Sequence, residues 1–260
     1  MNNEFTRQTE ADTIFDGAII AYEQKKYAKA LILFNKLLSE YRENIDEWNL
    51  RQWLGMCYLE QENFDRAIEN LSIAEREVDC KESGDCYFRI ADDLGYAYQN
   101  VEDYSNAIVY YEKAEKFLHF HLSKEATTSR YLFFLRKGRT YLQLGKHELA
   151  LTEFNRCKTL LETDEDATPL DWSTTNYEIA YTFHGSRDYL RAIEFLDKID
   201  LNEIDESSLC NIHFIKGASL YHLSRYKESL ESFVKAKKLV DDASMEISIN
   251  EFLEDLNTKL

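Results

Sequence analysis

The sequence is poor in residues that interrupt helices: 260 residues include a single proline and eight glycines. A β sandwich needs frequent turns and uses Gly and Pro to make them, so this scarcity argues for long helices joined by short loops. Positive charge is also short. Lys and Arg number 31 against 48 Asp and Glu, leaving a formal charge of −17. Such a surface repels a phosphate backbone and argues against nucleic-acid binding. Long apolar runs are missing too. The longest, such as Ala30–Phe34 and Tyr131–Leu135, fall far short of the roughly 20 residues that cross a bilayer, so no membrane role is expected. The N-terminal MNNEFTRQTE carries no apolar run behind its Arg, so no secretory signal is visible. The cysteines, Cys57, Cys80, Cys86, Cys157 and Cys210, are odd in number and irregularly spaced. They read as reduced thiols, and the expected location is cytoplasmic. Neither metal-ligand spacing nor a glycine-rich phosphate loop, HExxH or GxSxG is present, so no metal, no cofactor and no enzymatic activity are expected.

What is present is apolar and aromatic: 44% hydrophobic and 13% aromatic residues, enough for a packed core. These residues repeat. A small residue is followed twelve positions later by another, six times, as Ala18/Ala30, Gly55/Ala67, Gly95/Ala107, Gly138/Ala150, Ala180/Ala192 and Gly217/Ser229. Three positions before the second member stands a ring: Tyr27, Phe64, Tyr104, His147, Tyr189 and Tyr226. Four positions after it stands a large residue: Phe34, Leu71, Tyr111, Phe154, Leu196 and Phe233. Three positions after the first member come Ala21, Tyr58, Tyr98, Tyr141, Phe183 and Leu220. Within each half the apolar positions follow a helical period. Small residues let two antiparallel helices approach, and the bulky ones fill the space beside the contact. Each unit is therefore a helical hairpin too small to hold a core alone, which must stack on its neighbours.

This pattern resembles the tetratricopeptide repeat, whose Leu-Gly-x-x-Tyr stands as Leu54-Gly55…Tyr58 and Leu94-Gly95…Tyr98. The resemblance implies an all-α, right-handed α-solenoid of six hairpins with a C-terminal capping helix, forming a single domain over residues 1–260. The units span about 11–44, 48–81, 88–121, 131–164, 173–206 and 210–243, and the capping helix about 243–259. Two departures stand out. The repeat-closing proline is missing, and the only one, Pro169, suits the first turn of a helix. The spacing of equivalent rings is 37, 40, 43, 42 and 37 residues, longer than the family's usual 34 or so, which places extra helical turns at the junctions between units.

The family's inner wall is built from the first helix of each hairpin. Carried onto this chain, the resemblance implies a peptide-binding groove that includes Arg89, Tyr96, Gln99, Asn100, Arg139 and Gln143 in the middle units, and Tyr177, Tyr181, His184 and Tyr221 in the last two. Phe15, Ile19, Tyr22, Gln52 and Met56 line the first two. The positions where chaperone-binding members clamp a carboxylate hold Phe15, Ile19, Gln52 and Met56, so that clamp is absent. The amides of Gln99, Asn100 and Gln143 suit a peptide backbone, and the rings supply contact area. His184 and His222 sit at neighbouring helix ends and are expected to hydrogen-bond or stack. Arg89 has Asp92 one turn away, whereas Leu135 and Gln143 flank Arg139. Arg139 is therefore expected to anchor an acidic group of the bound segment.

The function expected is a non-enzymatic module that binds a peptide or helix of a protein partner, as an adaptor, scaffold or regulator. Two alternatives are an acidic regulator covering a basic partner surface and a free-standing receptor for signalling peptides, the latter implied by long-period members of the family.

Overall fold

The computed structural model describes residues 2–80, 83–120 and 127–260. They form thirteen α-helices, with no strand among the described residues. Packing divides the chain into two compact units, Met1–Ala126 and Thr127–Leu260. The first holds three hairpins: α1 (Asn2–Glu23) with α2 (Tyr27–Glu40), α3 (Glu47–Leu59) with α4 (Phe64–Glu77), and α5 (Gly84–Asn100) with α6 (Tyr104–Glu115). The second also holds three: α7 (Thr127–Gln143) with α8 (His147–Thr163), α9 (Pro169–Gly185) with α10 (Tyr189–Leu196), and α11 (Glu206–His222) with α12 (Tyr226–Leu239). It ends on α13 (Ala243–Lys259).

The small and large columns of the sequence lock the hairpins. A Cβ added to Gly95 would lie 2.7 Å from the Tyr111 ring, and one added to Gly138 would lie 2.5 Å from Phe154. The first helix can approach only because that atom is missing. The second small column, Ala30, Ala67, Ala107, Ala150 and Ala192, is fully buried. Ser229 takes that place in the sixth hairpin, where its hydroxyl donates to the Gly217 carbonyl at 2.8 Å, so the buried polar group is satisfied.

Each hairpin turns through a link of three residues, four in the second hairpin, with one shared geometry. Lys25, Glu62, Glu102, Gly145, Arg187 and Ser224 all hold positive φ, between 56° and 68°. The amide after each donates five residues back, to Ala21, Tyr58, Tyr98, Tyr141, Phe183 and Leu220, at 2.8–2.9 Å. This is the helix ending in which a left-handed residue satisfies the last carbonyls, and the accepting carbonyls belong to the fourth sequence column. The residue following the left-handed one is also the N-cap of the second helix. Where it is Asn63, Asp103 or Asp188, its side chain caps that helix.

Part of the extra length between hairpins lies in the helices. The first helices α5, α7, α9 and α11 each have 17 residues against 13 in α3. Pro169 opens α9 behind a capping box made by Thr168 and Asp171. The fifth hairpin differs: α10 stops after eight residues, and a 3-10 turn at Leu201–Glu203 leads into α11.

α13 closes the second unit. Ile249 and Leu256 are fully buried, and Phe252 stacks on Phe233 with ring centroids 4.7 Å apart. Leu260 lies past the helix end and is 57% exposed. The N-caps Asp205 and Asp242 stand 37 residues apart, so Glu254 and Asn257 fall where α11 has Gly217 and Leu220. The face that would meet another second helix is therefore polar, which suits a terminal cap.

Candidate functional site

The residues expected to face a partner all lie on first helices, but their side chains differ in what they already hold. In the first unit, Arg89 is exposed and pairs with Asp85 at 2.9 Å, one turn earlier on α5, rather than with Asp92, which is buried. Gln99 accepts a hydrogen bond from the Tyr111 hydroxyl at 2.9 Å, and the Asn100 amide donates to the Tyr96 carbonyl at 2.8 Å. Both amides expected for a peptide backbone thus serve the hairpin itself. Tyr96 is half-buried, edge-on to Phe64 at 6.3 Å. Phe15 meets Phe34 at 5.9 Å and Tyr22 meets Trp53 at 5.4 Å, so these rings pack between helices.

In the second unit α7, α9 and α11 bring several expected residues together. The Arg139 Nε donates to Glu178 Oε1 at 2.7 Å, with side-chain exposures of 43% and 8%. The anion that Arg139 was expected to draw from a partner is supplied by α9 of its own chain. Neighbours one turn away within α7 do not reveal Glu178, because it comes 39 residues later on the adjacent first helix. The pair borders a cavity of about 170 Å³. Leu170, Ser173, Thr174 and Tyr177 of α9 form one side, and Ile204, Asp205, Ser208, Asn211 and Ile212 at the start of α11 form the other. Tyr177 and Tyr181 stack at 6.1 Å beside it, and Tyr181 is 39% exposed. Gln143 is exposed at the end of α7.

His184 and His222 approach as expected, with ring centroids 6.3 Å apart. His184 Nδ1 lies 2.9 Å from Ser219 Oγ, and His222 stacks on Tyr189 at 4.5 Å. Among the described residues no group of three or more His, Cys, Asp or Glu could hold a metal ion. Tyr221 is engaged by the terminal helix: its hydroxyl bonds Asp255 and Lys259, and its ring meets Phe252 at 5.2 Å.

Burial sets the electrostatics of this wall. It holds the Glu178 carboxyl above the ordinary carboxylate range, and the opposing pull of Arg139 does not cancel it. Burial also raises the Tyr177 hydroxyl, with Glu178 adding to the effect. His184 is pushed below the ordinary histidine value, first by burial and then by His222.

Comparison with known proteins bears on the fold. The tetratricopeptide repeat model TPR_8 matches residues 88–117 and 133–160, one hairpin in each unit. No curated protein matches the sequence. Among solved structures, PilF of Pseudomonas aeruginosa is similar at a TM-score of 0.65 and 14% identity, over 95% of this chain and 99% of its own. MamA of Desulfovibrio magneticus RS-1 is similar at 0.58 and 20% identity, over 75% and 96%. YrrB, described as a TPR protein with an unusual peptide-binding site, is similar at 0.59 and 15% identity, over 84% and 97%. Among the described residues no helix is long and apolar enough to cross a membrane. Six hairpins follow one column pattern and the family model matches two of them, so residues 88–117 and 133–160 carry tetratricopeptide repeats within a fold similar to that of tetratricopeptide-repeat proteins.

Proposed function

We propose that this chain is a non-enzymatic interaction module that takes a peptide or helical segment of another protein along the first helices of its repeats. The observation that carries this reading is the wall of the second unit, where a cavity, a stacked tyrosine pair and an oriented ion pair lie side by side on α7, α9 and α11. Rigid aromatic rings beside a pocket are the usual anchors of a protein interface. A peptide-binding site is also what the similar YrrB is described as having. Within the second unit His184 and Gln143 extend the candidate surface, and the first helices of the first unit offer Arg89 and Tyr96, with Gln99 and Asn100 bracing that wall. Tyr221, already covered by α13, contributes as a wall of the last hairpin.

The test is capture of the partner by the purified chain, repeated with Tyr177→Ala/Tyr181→Ala. Loss of the captured protein with an unchanged helical circular-dichroism spectrum is the expected result. Undiminished capture would place the interaction elsewhere. The charge of −17 favours a second reading, in which the acidic outer surface covers a basic partner. A salt titration separates the two, because an acidic-face complex weakens steeply with ionic strength and an apolar wall much less.

A further inference from the structure

We propose that the cavity between α7, α9 and α11 is a receptor for one lysine or arginine side chain of the bound segment, which inverts the sign expected from Arg139 alone. The proposal rests on the reading that these helices take a protein segment, and it adds the chemistry of the anchor.

Size comes first. A volume of about 170 Å³ is below the 300 Å³ or so at which small-molecule sites begin, and it suits a single long side chain. The walls are of two kinds. Leu170, Tyr177, Ile204 and Ile212 offer apolar surface for an aliphatic stem, the part of Lys and Arg that packs while the charged head seeks polar partners. Those partners are Glu178 and Asp205.

Charge decides between a basic and an acidic occupant. With its ionisable walls charged, the cavity carries two carboxylates against one guanidinium, a surplus of one negative charge. The carboxylate of Glu178 is the deeper member of its pair, 8% exposed against 43% for Arg139. Its carboxyl stays above the ordinary range although Arg139 bonds it at 2.7 Å, because burial outweighs that single cation. An incoming ammonium or guanidinium supplies the missing counter-charge, whereas an incoming carboxylate adds to the surplus. Asp205 is held in place to receive the same cation. Its Oδ1 caps α11 by accepting from the Ser208 amide at 2.9 Å, which orients the carboxylate at the cavity edge. Arg139, being the more exposed partner, can share Glu178 or swing outward when a second cation enters. The net charge of −17 draws basic segments toward the protein from a distance.

The experiment uses the full chain labelled at its isoleucine and leucine methyl groups. Methyl spectra are followed while n-butylammonium chloride, sodium butyrate or butanol is added at constant ionic strength, the three serving as mimics of a basic, an acidic and a neutral side chain. Butylammonium should produce saturable shifts at Leu170, Ile204 and Ile212 with at least about tenfold higher affinity than butanol, a difference of about 1.4 kcal/mol. Glu178→Gln should lose most of that preference. Asp205→Asn should lose part of it while keeping the cap, since Asn caps helices as well as Asp, so one variant remains informative if the other fails to fold. Saturation by butyrate that disappears in Arg139→Gln would overturn the sign and restore an acidic anchor. Absence of saturable shifts with all three compounds would overturn the cavity as a side-chain site. Neither result would touch the broader reading, which stands or falls on partner capture by the Tyr177/Tyr181 variant.

Discussion

Single residues in this protein matter most where a large side chain packs directly on a helix backbone. Gly95 is such a position, because the Tyr111 ring fills the space its side chain would need. Gly95→Leu should therefore overpack the third hairpin and lower stability by about 1–3 kcal/mol or more, read as a fall in the urea midpoint without loss of helical signal before the transition. A neutral result would contradict the close contact. The hairpin links make a second demand. Gly145 is the glycine among the six left-handed positions, at φ 68°, and nothing crowds its missing side chain. Gly145→Ala isolates backbone strain from packing and should cost about 1 kcal/mol; no measurable change would mean that the link tolerates an ordinary residue for free. Titration adds a third effect at this scale. His184 and His213 both have lowered proton affinity in the folded chain, in each case through burial first. The unfolded chain then binds protons first, so folding stability should decline as pH falls from about 6.5. Urea midpoints at pH 7.5 and 5.0 should show that decline, and it should shrink in His184→Gln. Identical slopes in wild type and variant would remove His184 as a cause.

At the scale of elements, α13 decides whether the second unit ends cleanly. It buries Ile249 and Leu256 against the sixth hairpin and covers Phe233 with Phe252, so removing residues 243–260 would uncover the fully buried Phe233 ring. The truncated chain should aggregate or lose its cooperative transition, checked by light scattering and thermal melting. A truncated protein that stays monomeric with an unchanged melting temperature would mark the helix as a detachable docking element instead. The fifth hairpin shows why elements cannot all be read alike. Its second helix keeps the column residues Tyr189, Ala192 and Leu196 yet stops at Leu196. The stop follows from what comes next: Asp200 caps a 3-10 turn through the Asn202 amide at 3.0 Å, a local bond that competes with helix continuation.

For the molecule as a whole, the fold was legible because packing writes a period into the chain. Gly138 and Phe154, or Gly55 and Leu71, sit a constant distance apart in sequence because they touch across one hairpin. The candidate site was only half legible. The helices that carry it follow from the same columns, but the partners of individual side chains do not. Arg139 meets Glu178 across neighbouring hairpins, Gln99 turns toward Tyr111, and Tyr221 is taken by Asp255 and Lys259 of the last helix. The first and last of these pairings cross a junction whose length varies from hairpin to hairpin, so no fixed spacing announces them, and the Gln99 pairing depends on a side-chain orientation that the columns do not encode. The central claim, that first helices and not second helices receive the partner, is open to one direct measurement. Hydrogen exchange of the full chain should be compared with and without its captured partner. Slowed exchange concentrated in α7, α9 and α11 and at their N-terminal ends is the predicted result. Protection confined to α8, α10 and α12, or spread evenly over both layers, would contradict it.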